Sequence, residues 1–319
     1  MRVAVLRAVG SRLSLEDWPD PRPAGDEVVV RVTGAGVCHT DVHIQDGLLD
    51  VPLPLVLGHE IAGEAELYGP VLVFGSWGDG TCAFCARGDD PLCAAAAEPG
   101  LARHGGYAEA VVVPSARFLL PLAGLDPVRA APLADAGVTP YRAVRRAQPW
   151  LTDGGVAVVL GTGGLGQFAV QYLKRLPAVR VVAVDSSADK RSIARDLGAD
   201  EVAAPDDELP RARVVVDIVG SDESLAQAAR TVERGGLVVL VGEAGGRLPF
   251  GVAADVPWEA TLTTPAYPEL RLQGRVVADP DRDTVAEELL GAEDLLELAH
   301  APDVDAYQAV RGQVVLQLV

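Results

Sequence analysis

Between Glu27 and Val32 the chain reads Glu-Val-Val-Val-Arg-Val, bounded by Gly25-Asp26 before and Gly34 after, and Ala110-Val111-Val112-Val113 repeats this texture ahead of Pro114. β-branched side chains are stiff and pack well on a pleated surface, so both runs predict strands. Gly and Pro interrupt the first 130 residues at short intervals, as a β-rich module of short strands and turns requires. Near residue 135 the pattern changes. Gly155–Leu160 is a short apolar run that predicts a buried strand, and Gln167–Leu176 follows with helical spacing. Val179–Val184 predicts a second strand, and Ala188–Leu197 a helix that Gly198 stops. Arg213–Val219 and Gly236–Val241 predict two more strands. Strands that alternate with helices imply a parallel sheet of βαβ units, so the fold class is α/β with a β-rich N-terminal part. Beyond residue 275 the pattern weakens to one acidic helix over Asp283–Leu298 and a closing strand over Val314–Val319.

Composition narrows the field. The 319 residues suffice for two domains with sizeable cores, and 49% apolar with 23% charged residues excludes a disordered or fibrous chain. Twenty-seven basic against 45 acidic residues leave a net charge of −18. A polyanion is repelled by nucleic acid and by anionic membrane surfaces, so neither is expected as a partner. Arg7 breaks the first apolar run too early for a secretory signal, and no stretch of 18 apolar residues offers a membrane span. The four cysteines are too few for a disulfide scaffold, and three of them crowd between 82 and 93. A cytoplasmic protein with thiols free for metal is expected.

Gly161-Thr162-Gly163-Gly164-Leu165-Gly166 fits G-x-G-x-x-G, directly after a predicted strand and at the start of a helix. In that context the glycines let the backbone approach a pyrophosphate, which meets the positive end of the helix dipole. Asp185, at the end of the next strand, is placed to bind the ribose 2′-hydroxyl and to repel a 2′-phosphate, which favours NAD over NADP.

Two further groups point to zinc. Cys38-His39-Thr40-Asp41 and Gly58-His59-Glu60 together offer a thiolate and an imidazole, and a site with three protein ligands leaves room for substrate. Asp79, Cys82, Cys85 and Cys93 follow a Cys-x2-Cys-x7-Cys pattern with a carboxylate in the fourth place. That pattern suits a structural zinc ion, the alternative being a loose thiol cluster.

Taken in order, Gly36-Val37-Cys38-His39-Thr40-Asp41, Gly58-His59-Glu60, the three cysteines, Asp135-Ala136-Gly137-Val138-Thr139-Pro140-Tyr141 and the glycine loop resemble the zinc-dependent alcohol dehydrogenases of the medium-chain dehydrogenase/reductase family. The likeness covers most of residues 1–250 and is greatest to bacterial secondary-alcohol dehydrogenases, whose third zinc ligand is an Asp in the same Asp-Ala-Gly context. It implies a GroES-like catalytic domain over 1–134 with a C-terminal return over 276–319, and a doubly wound Rossmann domain over 135–275. It implies catalytic zinc on Cys38, His59 and Asp135, with Glu60 nearby and Asp41 orienting His59. It further implies that Thr40 takes the alcohol proton and passes it through the nicotinamide ribose to His43. Thr139 would buttress the nicotinamide, His39 the pyrophosphate and Lys190 the adenine ribose.

The implied reaction is hydride transfer between NAD and an alcohol, foremost a secondary one, giving the corresponding ketone or aldehyde, in a homodimer or homotetramer. A polyol dehydrogenase, or a relic that binds NAD or zinc without turnover, is the alternative. The chain departs from the family in an abbreviated segment over Glu64–Val73, in short links over Cys93–Gly106 and Asp200–Ala212, and beyond Pro257, where Thr264-Pro265-Ala266-Tyr267 replaces the usual pocket residues. The short segment at 64–73 threatens the loss of a strand from the catalytic domain. Leu48, Leu49, Trp77 and Tyr267 are candidates for an apolar pocket wall.

Overall fold

A computed structural model describes residues 1–247, 260–264 and 316–317. The expected helix over 283–298 and the pocket candidate Tyr267 lie outside these residues, as does most of the expected C-terminal return. The chain divides into two compact units, one built on Met1–Val138 and one beginning at Thr139.

The first unit contains β1 (Arg2–Leu6), β2 (Ser14–Asp17), β3 (Val28–Gly36), α1 (His39–Gln45), β4 (Leu55–Val56), β5 (Glu60–Ala65), β6 (Gly69–Val73), α2 (Ala83–Ala86), β7 (Ala110–Val113), β8 (Leu119–Pro121) and α3 (Pro127–Ala130). Strands β2, β1 and β4 form a small antiparallel sheet in that order. In the larger sheet β3, β5, β6 and β8 lie side by side, β7 pairs with β3, and Leu316–Gln317 pairs antiparallel with Gly34–Ala35. Fully buried Ile61, Leu72, Leu119 and Leu120 on these strands supply apolar core. The abbreviated segment keeps its strand: β5 and β6 form a hairpin in which Ile61 faces Val73 and Ala65 faces Gly69. The turn between them is tight, the Tyr68 amide donating to the Ala65 carbonyl at 3.0 Å.

The second unit follows α4 (Val138–Ala147) with β9 (Gly155–Leu160), α5 (Gly164–Lys174), β10 (Val179–Val184), α6 (Ala188–Asp196), β11 (Glu201–Ala203), β12 (Ala212–Asp217), α7 (Asp222–Thr231), β13 (Val232–Leu240) and β14 (Thr261–Thr263). Its sheet is wholly parallel and runs β11-β10-β9-β12-β13-β14. Numbered from β9, the order is 3-2-1-4-5-6, the doubly wound arrangement of dinucleotide-binding domains. Helices cover such sheets, and the valine-rich centres of β9, β10 and β12 are accordingly buried. The α/β fold expected from the strand–helix alternation is observed. One boundary differs: β13 begins at Val232 rather than Gly236, because Glu233-Arg234-Gly235 continue the strand at its half-exposed end.

Candidate active site and metal clusters

The first cluster grows from three separate segments of the first unit. Strand β3 delivers Cys38 to the N-terminus of α1, where Asp41, three residues on, accepts a hydrogen bond from the Cys38 amide at 2.9 Å. This contact caps the helix and holds the cysteine in extended backbone. Gly58, at φ +92°, turns the chain so that His59 precedes β5. Asp135 ends a single 3-10 turn, Ala131–Ala134.

The ligand atoms of Cys38, His59 and Asp135 all lie within 4.8 Å of one another. Cys38 Sγ is 3.3 Å and His59 Nε2 3.5 Å from Asp135 Oδ2. Four ligands around a tetrahedral zinc ion, at ordinary bond lengths, stand about 3.4–3.6 Å apart, so the donor set fits zinc in chemistry and in span. A thiol and a carboxylate placed together while nearly buried also call for a cation. Burial and then the Asp135 charge push the Cys38 thiol up, and a divalent ion would release that proton.

The surroundings are built for this set. Glu60 is fully buried and accepts from the Ala136 amide at 3.2 Å. Burial, then the charge of Asp135, pushes its carboxyl up to about 8. Gly36 lies opposite Glu60 across β3 and β5, and a Cβ there would sit 1.8 Å from Glu60 Oε2. Only glycine leaves room for the carboxylate. Asp41 Oδ1 accepts from the Gly58 amide at 3.1 Å and lies 3.6 Å from His59 Nδ1. Burial opposes ionisation of Asp41, but His59 and the amide and hydroxyl donors around it hold it below the usual carboxylate range. With the Asp41 charge facing Nδ1, the Nε2 lone pair is left to face Cys38 and Asp135. Thr40 is half-buried with Oγ1 3.6 Å from Cys38 Sγ. His43 lies one turn along α1 and packs edge-on against the exposed His39, with ring centroids 5.8 Å apart. Spacing of three puts Thr40 and His43 on one face of the helix.

The second cluster is local. Cys82 caps α2, its sulfur accepting from the Cys85 amide at 3.5 Å. Cys82 Sγ lies 3.6 Å from Cys85 Sγ, which lies 3.4 Å from Asp79 Oδ1, and with Cys93 the four ligand atoms fall within 4.8 Å of one another. Sulfurs on a tetrahedral zinc ion stand about 3.8 Å apart, so this set also fits. All four cysteines are free thiols. The amide of Thr81, with that of Cys82, holds the exposed Asp79 carboxyl down at about 2 and keeps it an anion. Arg117 pins the loop by donating to the Gly78 carbonyl at 2.9 Å and to the buried Asp90 at 2.6 Å.

In the second unit the glycine loop lies between β9 and α5, as its spacing predicts. Gly161 has φ +85°, and a Cβ on Gly166 would lie 2.0 Å from the Gly161 carbonyl oxygen, so helix and loop touch backbone to backbone. Gly163 caps α5, and Gly164 and Leu165 form its first turn, with amides that have no partner earlier in the helix. Asp185 follows β10 and accepts from the Thr162 amide and the Ser187 amide, both at 2.9 Å. It is therefore tied to the loop, a bond the spacing did not foretell. Lys190 lies in the first turn of α6, half-buried, and Thr139 is buried near the start of α4.

Two pocket candidates read differently in the structure. Trp77 is 3% exposed and donates from Nε1 to the Phe74 carbonyl at 2.7 Å, which makes it core, while Leu48 is 71% exposed. Tyr107, which sequence reasoning passed over, places its hydroxyl 2.9 Å from Asp41 Oδ2. The only signal was its place after Gly105-Gly106, too common to mark a site.

Comparison with known proteins agrees with this geometry. Residues 24–124 match the alcohol dehydrogenase GroES-like domain, and residues 164–291 match the zinc-binding dehydrogenase domain. D-arabinose 1-dehydrogenase (NADP(+)) of Saccharolobus solfataricus is 34% identical over 293 residues, 84% of each chain. An NAD-dependent alcohol dehydrogenase of Sulfurisphaera tokodaii is 35% identical over 295 residues, 83% of this chain and 82% of that one. The crystal structure of the alcohol dehydrogenase from Aeropyrum pernix superposes with a TM-score of 0.79 at 32% identity, covering 94% of this chain and 90% of that one. With both domains matched in order and a zinc-compatible donor set in the first, the chain belongs to the zinc-type alcohol dehydrogenases of the medium-chain dehydrogenase/reductase family.

Proposed function

We infer that the protein interconverts an alcohol and its ketone or aldehyde by hydride transfer with NAD. The observation that carries this reading is the cluster of Cys38, His59 and Asp135, with separations of 3.3 and 3.5 Å to the Asp135 oxygen. Three protein ligands leave a fourth position for the substrate. When bound, zinc supplies Lewis acidity toward the substrate oxygen and the nicotinamide accepts or returns the hydride. Cys38 and Asp135 contribute two negative charges that match the divalent ion. Thr40 is the hydroxyl placed beside the cluster, and it takes the alcohol proton toward His43 on the same helical face. Glu60 and Asp41 touch the ligands and their backbone and hold them in place. In the second unit the glycine loop takes the pyrophosphate, while Asp185 and Lys190 take the adenosine ribose. Thr139 and His39 are assigned to the nicotinamide and the pyrophosphate on family resemblance.

Asp79, Cys82, Cys85 and Cys93 hold a second, structural ion. Residues 1–134 with 276–319 are assigned to the catalytic domain and 135–275 to the cofactor domain; the division into two compact units supports two domains, with the first running on to Val138 and so keeping Asp135 with Cys38 and His59. NAD is preferred to NADP because the buried Asp185 carboxylate would repel a 2′-phosphate. The D-arabinose relative carries NADP in its name and supports a second reading, a sugar or polyol substrate. No described helix is long and apolar enough to cross a membrane. A cytoplasmic homodimer or homotetramer follows from the family resemblance, and light scattering tests the assembly.

The test is zinc content per chain, followed by NADH formation from secondary alcohols and from D-arabinose with either cofactor. Two zinc ions with NAD-linked alcohol turnover are the expected result. An unmetallated protein without turnover would leave the relic reading, and faster turnover of the sugar would favour the second.

A further inference from the structure

Tyr107 is 3% exposed, and its ring lies against Gly58, where a Cβ would come within 2.6 Å of Tyr107 Cδ1. Its backbone is bound to the segment that carries His59: the Tyr107 amide donates to the Leu57 carbonyl at 3.0 Å and the Gly106 amide to that of Gly58 at 2.8 Å. The hydroxyl has one proton and two acceptors in reach, Asp41 Oδ2 at 2.9 Å and the Gly36 carbonyl at 3.2 Å. The charged acceptor is the nearer one, and hydrogen bonds to ions are the stronger kind, so the proton goes to Asp41.

Each Asp41 oxygen then has a defined task. Oδ2 holds the Cys38 amide and the Tyr107 hydroxyl, while Oδ1 holds the Gly58 amide and faces His59 Nδ1. A buried carboxylate with fewer donors can rotate toward whichever remain, and its hold on the imidazole changes with it. The ligands Cys38 and His59 lie 21 residues apart in sequence, and Asp41 with Tyr107 is where both are fastened. We propose that Tyr107 is a positioning residue of the catalytic metal centre, acting through Asp41 on both Cys38 and His59. The assignment rests on the zinc reading of the Cys38, His59 and Asp135 cluster.

Tyr107→Phe removes one oxygen and keeps the ring that Gly58 accommodates. Zinc release from the full-length, zinc-loaded protein to 4-(2-pyridylazo)resorcinol is followed in the wild type and in Cys38→Ser, and the phase lost in Cys38→Ser belongs to the catalytic site. Tyr107→Phe is expected to speed that phase roughly threefold to tenfold, less than or at the lower end of what loss of a ligand's direct partner brings. The phase of the other cysteine cluster stays unchanged, the absorption bands of the Co²⁺-substituted protein shift, and the metal-free protein still unfolds in one cooperative transition, its midpoint lowered only by the loss of one buried hydrogen bond. Unchanged release and an unchanged Co²⁺ spectrum would overturn the proposal. So would faster release in both phases with a less stable metal-free protein, which would mean a packing role only. If Cys38→Ser abolishes no phase, the zinc reading itself fails and the proposal with it. If that phase exists and Tyr107→Phe leaves it unmoved, only the proposal fails.

Discussion

The two candidate metal clusters of the first unit are assembled in opposite ways. Asp79, Cys82, Cys85 and Cys93 come from 15 consecutive residues on one loop, with Asp79 exposed and Cys82 half-exposed. Cys38, His59 and Asp135 come from segments up to 97 residues apart, and two of the three are buried. A local loop can gather thiolates at little entropic cost, and an ion bound there would staple the loop. The distant set needs the sheet to bring it together, and it is fastened by buried partners: Glu60 on the Ala136 amide, and Asp41 on the Cys38 and Gly58 amides. A closed set of four suits structure, whereas three ligands on a rigid frame leave a position for substrate.

Substitutions at each cluster sharpen this contrast. Cys38→Ser is expected to have the largest effect, because the Lewis acid is worth several kcal/mol and its loss lowers kcat/KM roughly a thousandfold or more. Zinc content should fall by one ion per chain while NAD binding, measured by calorimetry, persists. Unchanged turnover would break the assignment of that cluster. Asp41→Asn comes next: it removes the charge facing His59 Nδ1 and should cost roughly 10–100-fold in zinc affinity or turnover. Chelator competition measures it, and affinity equal to wild type would show that Asp41 does no more than cap α1.

Cys85→Ser should act on stability instead. Loss of the loop ion is expected to destabilise the first unit by about 2 kcal/mol or more, while kcat per folded molecule stays within about twofold at low temperature. Thermal unfolding with and without chelator checks this, and an equal loss of kcat would erase the distinction between the clusters.

The smallest effect belongs to a charge pair remote in kind from both. Lys174 Nζ lies 2.9 Å from both Asp200 oxygens, and the Val181 amide donates to Asp200 Oδ2 at 2.7 Å. Partial burial raises the Asp200 carboxyl, but Lys174 and that amide outweigh it and hold it below its ordinary value. A lowered folded-state value means that the stabilisation is present above the usual carboxylate range and is lost as pH falls through the folded value. Asp200→Asn should therefore cost about 0.5–1 kcal/mol at pH 7, and nothing once the wild-type carboxylate is protonated. Denaturant titrations at the two pH values decide it, and zinc release from either cluster should not change.

Legibility in the sequence followed the same division. The cysteine loop and the glycine loop were readable because their function depends on spacing over a few residues, and backbone geometry converts that spacing directly into a cluster or a cradle. Val-rich runs marked β9, β10 and β12 almost to the residue, since a strand buried on both faces must be apolar throughout. Asp135 has no local signature beyond its likeness to relatives, and Tyr107 has only the common Gly-Gly before it. The abbreviated segment threatens a lost strand by its length, yet β6 pairs with β5 from Gly69 to Val73.

Short-range order thus settled the α/β class, the dinucleotide loop and the cysteine cluster, because covalent connection already holds their parts within reach. Packing of distant segments in three dimensions decided the rest. It set Gly36 opposite Glu60, brought Asp135 within 3.5 Å of His59, and placed a tyrosine hydroxyl on the carboxylate that faces that histidine. Such contacts between distant segments depend on which faces are buried together, and hydrophobic burial, blind to residue number, selects those faces.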